Sequence, residues 1–289
     1  MSPLPSWRGE LVHGLAGRGD VRWAVADLRG VVEEARVRHD LSPVAAAALG
    51  RALSGAALLM FLSTRAWARL VLEVRGDGPL GTVVAEIDDA GNLRGFVGNP
   101  RVETAAGEGL GIAAAIGRGV LKVRRESPRW GSFESQVELV TGEIGLDLAH
   151  YLEQSEQTRS AVLLGVLARP EGVAAAGGML VELLPDAREE AIAPLERNLR
   201  ALEGVSRRLE QGGLPALAEA VLAGLDHDEL GRQPLRFNCR CHRDELLGKL
   251  RLLPPGDRDE LVAASGEIVA ECAFCGQLYR FAATELAPG

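Results

Sequence analysis

FNCRCHRDELLGKL, residues 237–250, and ECAFCGQLYRF, residues 271–281, hold all four cysteines of a 289-residue chain. One pair is spaced C-x-C and the other C-x-x-C, with thirty residues between Cys241 and Cys272. Zinc takes four tetrahedral ligands, binds thiolates readily and is commonly held by two close pairs from separate turns. Cys239, Cys241, Cys272 and Cys275 are therefore the candidate ligands of one Zn2+. Gly276, directly after the second pair, suits a turn whose backbone amides donate to sulfur. His242 follows Cys241 and is an available substitute, but four thiolates already close the shell.

The segment carrying these cysteines, from about Pro234 to Gly289, is roughly 55 residues long, below the size at which an apolar core alone usually suffices. A metal would staple it. Structural zinc contributes on the order of 10 kcal/mol of folding free energy, so its loss should unfold the unit. The C-x-C half adds a redox element. Along an extended chain its two Cα atoms would lie about 6.6 Å apart, so joining Cys239 to Cys241 requires the backbone to bend. In a reducing compartment, closely spaced cysteines hold metal or do redox chemistry rather than form permanent disulfides.

Upstream, the expected fold class is α+β: a mixed N-terminal domain with an antiparallel sheet over residues 1–180, a helical linker over 181–233 and a small C-terminal zinc-binding redox domain over 234–289. Residues 20–26 have strand composition, and RLVLEVR at 69–75 alternates apolar and polar residues. Turn formers in GDGPLG (76–81) and DDAGN (88–92) predict an antiparallel meander of strands around Leu70, Val83 and Phe96. Ser42 and Pro43 start an alanine-rich helix to about Leu62, and a second helix is expected from near Thr141 with Glu143 and Asp147 at its positive end. From Pro185, Asp186 and Glu189 fit a capping box. Ile192, Leu195, Leu199, Leu202, Val205 and Leu209 then form an apolar stripe that ends at Gly212 and Gly213. Leu214, Leu217, Val221, Leu222 and Leu225 make a shorter second helix.

Composition narrows the functional classes. The chain is 47% apolar with net charge −8, has no apolar run of about 18 residues or more, and its N-terminus lacks a secretory pattern, so a cytoplasmic globular protein without membrane partners is expected. A zinc-ribbon nucleic-acid binder or adaptor is the alternative reading. From Gly231 onward, however, eight basic residues face eight acidic ones, which offers no phosphate-binding stripe. Enzyme motifs are weak. GLGIAAAIG at 109–117 lacks the third glycine of a dinucleotide loop, GDGPLG lacks the ending of a P-loop, and His13, His39, His150 and His227 are scattered. No catalytic turnover is expected.

The cysteine pattern CRC, thirty residues, CAFC resembles the C-terminal zinc switch of the heat-shock protein 33 family, redox-regulated holdase chaperones that work without ATP. HDLSPVAAAALGRAL (39–53), GDGPLGTVVAE (76–86), TGEIGLDLAHYLEQSEQ (141–157) and AAGGMLVELLP (175–185) extend the resemblance over the N-terminal domain in the family's order. The resemblance implies one Zn2+ on Cys239, Cys241, Cys272 and Cys275 in a reduced, inactive protein. Under peroxide or hypochlorite it implies pairing of Cys239 with Cys241 and of Cys272 with Cys275, zinc release, unfolding of the C-terminal unit and loosening of linker helices over 186–226. Unfolding client proteins would then be held, with the active form a homodimer. Client-binding residues are not assigned by it.

Overall fold

Residues 8–27 form a hairpin in which β1 (Arg8–Ala16) and β2 (Val21–Asp27) pair antiparallel, from Glu10↔Asp27 to Ala16↔Val21. The computed structural model describes residues 8–63, 65–103, 111–263 and 266–286. The N-terminal residues 1–7 and the start of the GLGIAAAIG string thus lie outside the described residues. Contacts divide the chain into two compact units, Met1–Phe237 and Asn238–Gly289.

In the first unit, α1 (Arg29–His39) leads to α2 (Pro43–Leu62). The Ser42 hydroxyl accepts the Ala45 N–H at 3.3 Å, as its capping role predicts, and donates to the Val102 carbonyl at 2.7 Å. Among the described residues α2 is the one helix long and apolar enough to cross a membrane, with mean hydropathy 1.7, yet 89% of that window is buried inside the protein. It is a core helix, apolar on every side because protein covers every side.

The meander expected around Leu70, Val83 and Phe96 is present as β3 (Arg69–Gly76), β4 (Thr82–Asp88) and β5 (Asn92–Val97). A short helix, α3 (Ile112–Ile116), follows. It is the described part of the GLGIAAAIG string and serves as a corner. The Ala115 and Ile116 carbonyls accept Leu80 and Gly78 N–H groups at 2.9 Å, which ties it to the GDGPLG turn. Strands β6 (Gly119–Ser127) and β7 (Gly131–Glu138) extend the sheet from β3.

Helix α4 (Ile144–Glu156) begins later than the expected Thr141. The cause is Asp147, fully buried, whose Oδ1 accepts the Val140 and Thr141 N–H groups at 2.8 and 2.9 Å and holds both residues in the loop. Glu143 instead pairs with Arg51. Both carboxylates thus make structural contacts around the start of the helix.

Strands β8 (Ser160–Arg169) and β9 (Gly172–Leu183) close the other end of the sheet. The apolar stripe after Pro185 is divided differently from expectation. Helix α5 (Glu189–Ala201) starts without a capping box, because Asp186 takes a left-handed conformation (φ 63°) and the cap is Arg188, whose side chain pairs with Asp20 at 2.7 Å. Gly204 (φ 61°) breaks the stripe, and α6 (Val205–Leu222) passes through Gly212 and Gly213 with a kink at Gly213 rather than ending there. Leu195, Leu209, Leu217, Val221 and Leu222 lie on Val21, Trp23, Val25, Met179 and Val181. Along β2 these residues alternate with Ala24 and Ala26, also fully buried, so the sheet is covered on both faces here.

Residues 227–237, which carried no strand signal, form β10 (His227–Phe237). The ten-stranded order is β7-β6-β3-β4-β5-β10-β1-β2-β9-β8. β10 pairs antiparallel with β1 along its length and parallel with β5 only at Arg236↔Asn92 and Phe237↔Leu93. It thereby joins two half-sheets and ends just before the first cysteine pair.

The second unit contains α7 (Arg243–Arg251), α8 (Pro255–Ala263) and an antiparallel hairpin of β11 (Glu267–Glu271) and β12 (Leu278–Ala282). Its apolar core is Ile268, Phe281 and Leu286, with Leu246, Leu247, Leu250, Val262, Ala270 and Tyr279 partly buried against it. So few fully buried side chains give little stability of their own. Arg243 adds a polar clasp by stacking on Phe281 at 4.7 Å and pairing with Glu285 at 2.8 Å.

Candidate metal centre

The hairpin positions the second cysteine pair. At the end of β11, Cys272 donates its N–H to the Gln277 carbonyl at 3.0 Å, and its own carbonyl accepts the Cys275 and Gly276 N–H groups at 3.2 and 2.8 Å. This tight turn needs a left-handed residue, which Gly276 supplies at φ 67°. The first pair lies in the irregular stretch between β10 and α7, held at one end where His242 accepts the Leu246 N–H at 3.1 Å through its backbone carbonyl. His242 thus starts a helix and is not among the clustered ligand atoms.

All four sulfurs lie within 4.8 Å of one another, and the cysteines are unbridged. The Cys239–Cys272 and Cys241–Cys275 separations are 3.7 and 3.4 Å. A tetrahedral Zn–thiolate site with bonds of about 2.3 Å has sulfur–sulfur edges of roughly 3.8 Å, close to these two separations, so the donor set fits such an ion. The sequence-predicted ligands are brought together as one set. No other group of three or more His, Cys, Asp and Glu side chains converges in this way among the described residues.

Electrostatics favour a cation at the centre. Cys275 is 4% exposed, and burial pushes its thiol well up; burial also raises Cys272. At Cys241 burial works in the same direction, but hydrogen bonds from Tyr279 and the neighbouring thiols outweigh it and hold the thiol below its usual value. A divalent metal would supply the counter-charge that several thiolates this close together require.

Tyr279 is the residue beside the cluster that the sequence reading passed over. Its hydroxyl reaches both Cys241 Sγ at 3.2 Å and the Cys241 carbonyl at 3.1 Å, so one phenolic proton is shared between two acceptors of the same residue. The bond to Cys241 raises the phenol to about 12. The only sequence signal was its position on the strand that leaves the C-x-x-C turn, two residues before Phe281, where strand alternation puts both rings on one face.

Comparison with known proteins gives a consistent result. The Hsp33 protein family matches residues 9–282. A 33 kDa chaperonin of Thermus thermophilus is 44% identical, covering 96% of this chain and 85% of that protein. One from Symbiobacterium thermophilum is also 44% identical, over 96% and 95%. The crystal structure of a 33 kDa chaperonin, a heat shock protein 33 homolog from Thermotoga maritima, superposes with a TM-score of 0.88 at 34% identity and covers 96% of both chains. With the match running from β1 to the end of β12 and so through the four-cysteine cluster, this chain belongs to the Hsp33 family.

Proposed function

We propose that this chain is a redox-regulated, ATP-independent holdase that works in the cytoplasm, zinc-bound and inactive when reduced. The Hsp33 family is one of holdases rather than enzymes. The observation that carries the reading is the cluster of four thiols within 4.8 Å, set in a unit with three fully packed apolar side chains. Zn2+ would be held by Cys239, Cys241, Cys272 and Cys275 and would supply the positive charge that lets these thiols ionise together.

On oxidation each disulfide forms as two zinc-bound thiolates give up two electrons, either to peroxide, which takes two protons from solvent and leaves as two waters, or to hypochlorite, which takes two protons and leaves as chloride and water. The pairs proposed are Cys239 with Cys241 and Cys272 with Cys275. Disulfide sulfur is a poor zinc ligand, so the ion leaves and the second unit loses its main support. Helices α5 and α6 are marginal alone in water and depend on tertiary packing. Their release would uncover the apolar face of Val21, Trp23, Val25, Met179 and Val181 to unfolding clients, and the active form would be a homodimer.

The test is suppression of aggregation of a heat-denatured client without nucleotide. Oxidised protein should suppress it at near-stoichiometric ratio and reduced protein should not. Equal suppression by both forms contradicts redox regulation, and suppression by neither contradicts the holdase reading.

A further inference from the structure

An open cavity of about 1290 Å³ lies in the first unit, away from every cysteine. Small-molecule sites usually occupy ~300–1,000 Å³, so this one has room for a ligand and some water. Val12, Trp23, Val25 and Val173 of the sheet and Leu214 and Ala218 of α6 give it an apolar lining. Pro215, just past the kink at Gly213, completes the helical wall.

Charge in the lining is unbalanced: six carboxylates stand against four guanidinium groups. Most of these charges already have partners. Glu33 accepts from Arg36 at 2.8 Å and from the Val173 N–H at 2.9 Å. Glu229 pairs with Arg232, which also reaches Glu10 at 3.3 Å. Arg169 pairs with Glu210 at 3.0 Å, and Arg29 donates to the Val173 carbonyl at 3.2 Å.

Asp27 differs. Its Oδ1 accepts the Arg29 N–H at 2.9 Å, while its Oδ2 has neither a hydrogen bond nor an ion pair among the described residues. Burial pushes this carboxyl up, only partly offset by the Arg29 N–H and charge. A carboxylate with one idle oxygen at the edge of an apolar cavity is stabilised by an incoming cation.

We infer that this cavity binds an organic ammonium carried on an apolar body, with Asp27 as the counter-charge and the Val12, Trp23, Val25 and Val173 surface taking the hydrocarbon. The site does not depend on the metal centre, so it stands or falls separately from the redox reading. The same chemistry is offered by a free alkylamine and by a lysine side chain in an apolar client segment.

Calorimetric titration of the reduced full-length chain distinguishes these sources, with hexylammonium, 1-hexanol and hexanoate as one series. A pentapeptide, acetyl-Leu-Leu-Lys-Leu-Leu-amide, and its Nε-acetylated form are the other. Hexylammonium should bind more tightly than the alcohol or the acid. Asp27→Asn keeps the acceptor for the Arg29 N–H but removes the charge. It should weaken hexylammonium about tenfold and change hexanol by less than about twofold. Ala174→Leu, which fills part of the cavity, should weaken both and serves as the test if the Asp27 variant does not fold. Peptide binding lost on acetylation assigns the site to lysines of clients; binding of the free amine alone assigns it to small amines; either supports the inference. Equal affinity for ammonium and alcohol, or no binding by any of these compounds, overturns it.

Discussion

Leu217→Ala tests the proposed coupling without touching a cysteine. Leu217 is fully buried in the cluster that joins α6 to Trp23, Val25, Met179 and Val181. Truncating a fully buried leucine costs about 3 kcal/mol, from lost transfer energy plus the cavity left behind. If α5 and α6 open as a local unit, that cost falls on their opening equilibrium and shifts it by roughly two orders of magnitude. Amide hydrogen exchange on reduced, zinc-loaded protein should show α6 protection reduced by about that factor while α2 is unchanged. The reduced variant should also suppress client aggregation partially, since the apolar face is uncovered without oxidation. Unchanged exchange in α6 refutes local opening of the helices. Faster exchange without any gain of holdase activity refutes the idea that uncovering this face is what activates the protein.

Other substitutions probe the remaining parts. Cys272→Ser should weaken zinc binding and leave the second unit exchanging its amides freely, because three thiolates and a hydroxyl hold Zn2+ poorly and the unit has little core of its own; zinc titration and hydrogen exchange read both. Tyr279→Phe removes the hydroxyl from Cys241 while keeping the ring, and should lower zinc affinity about 10-fold or more, as loss of a hydrogen bond next to a ligand commonly does, with the hairpin still folded by circular dichroism. Asp147→Ala removes the buried acceptor of the Val140 and Thr141 N–H groups, which water partly replaces because both residues are exposed, and should cost about 1 kcal/mol of stability in denaturant unfolding, with no effect on zinc stoichiometry.

The cysteine spacing made the four-thiol cluster legible because so few arrangements of two short-spaced thiol pairs serve any chemistry that keeps them apart. Local signals were equally dependable where the chain obeys them: Ser42 and Pro43 start α2, and the turns at 76–81 and 88–92 bound the meander. β10 was not legible. HDELGRQPLRF is polar, contains a proline, and buries only Leu235 and Phe237, since a strand inserted between two half-sheets is placed by its neighbours' unpaired backbone rather than by its own side chains. The break at Gly204 was hidden because the apolar spacing runs on through it, while Gly212 and Gly213 looked like an end yet produce only a kink. Asp147 as a loop anchor and Tyr279 beside Cys241 depend on contacts between residues that periodicity does not report.

The most direct measurement counts zinc and free thiols in one sample as peroxide is added, alongside hydrogen exchange in residues 238–286. One zinc and four thiols per chain should be present at the start. Zinc should leave as the thiols are consumed, and amides in α7, β11 and β12 should lose their protection in step. Zinc retained after all four thiols have reacted, or a second unit that stays protected once its metal is gone, would contradict a switch built on metal-dependent folding.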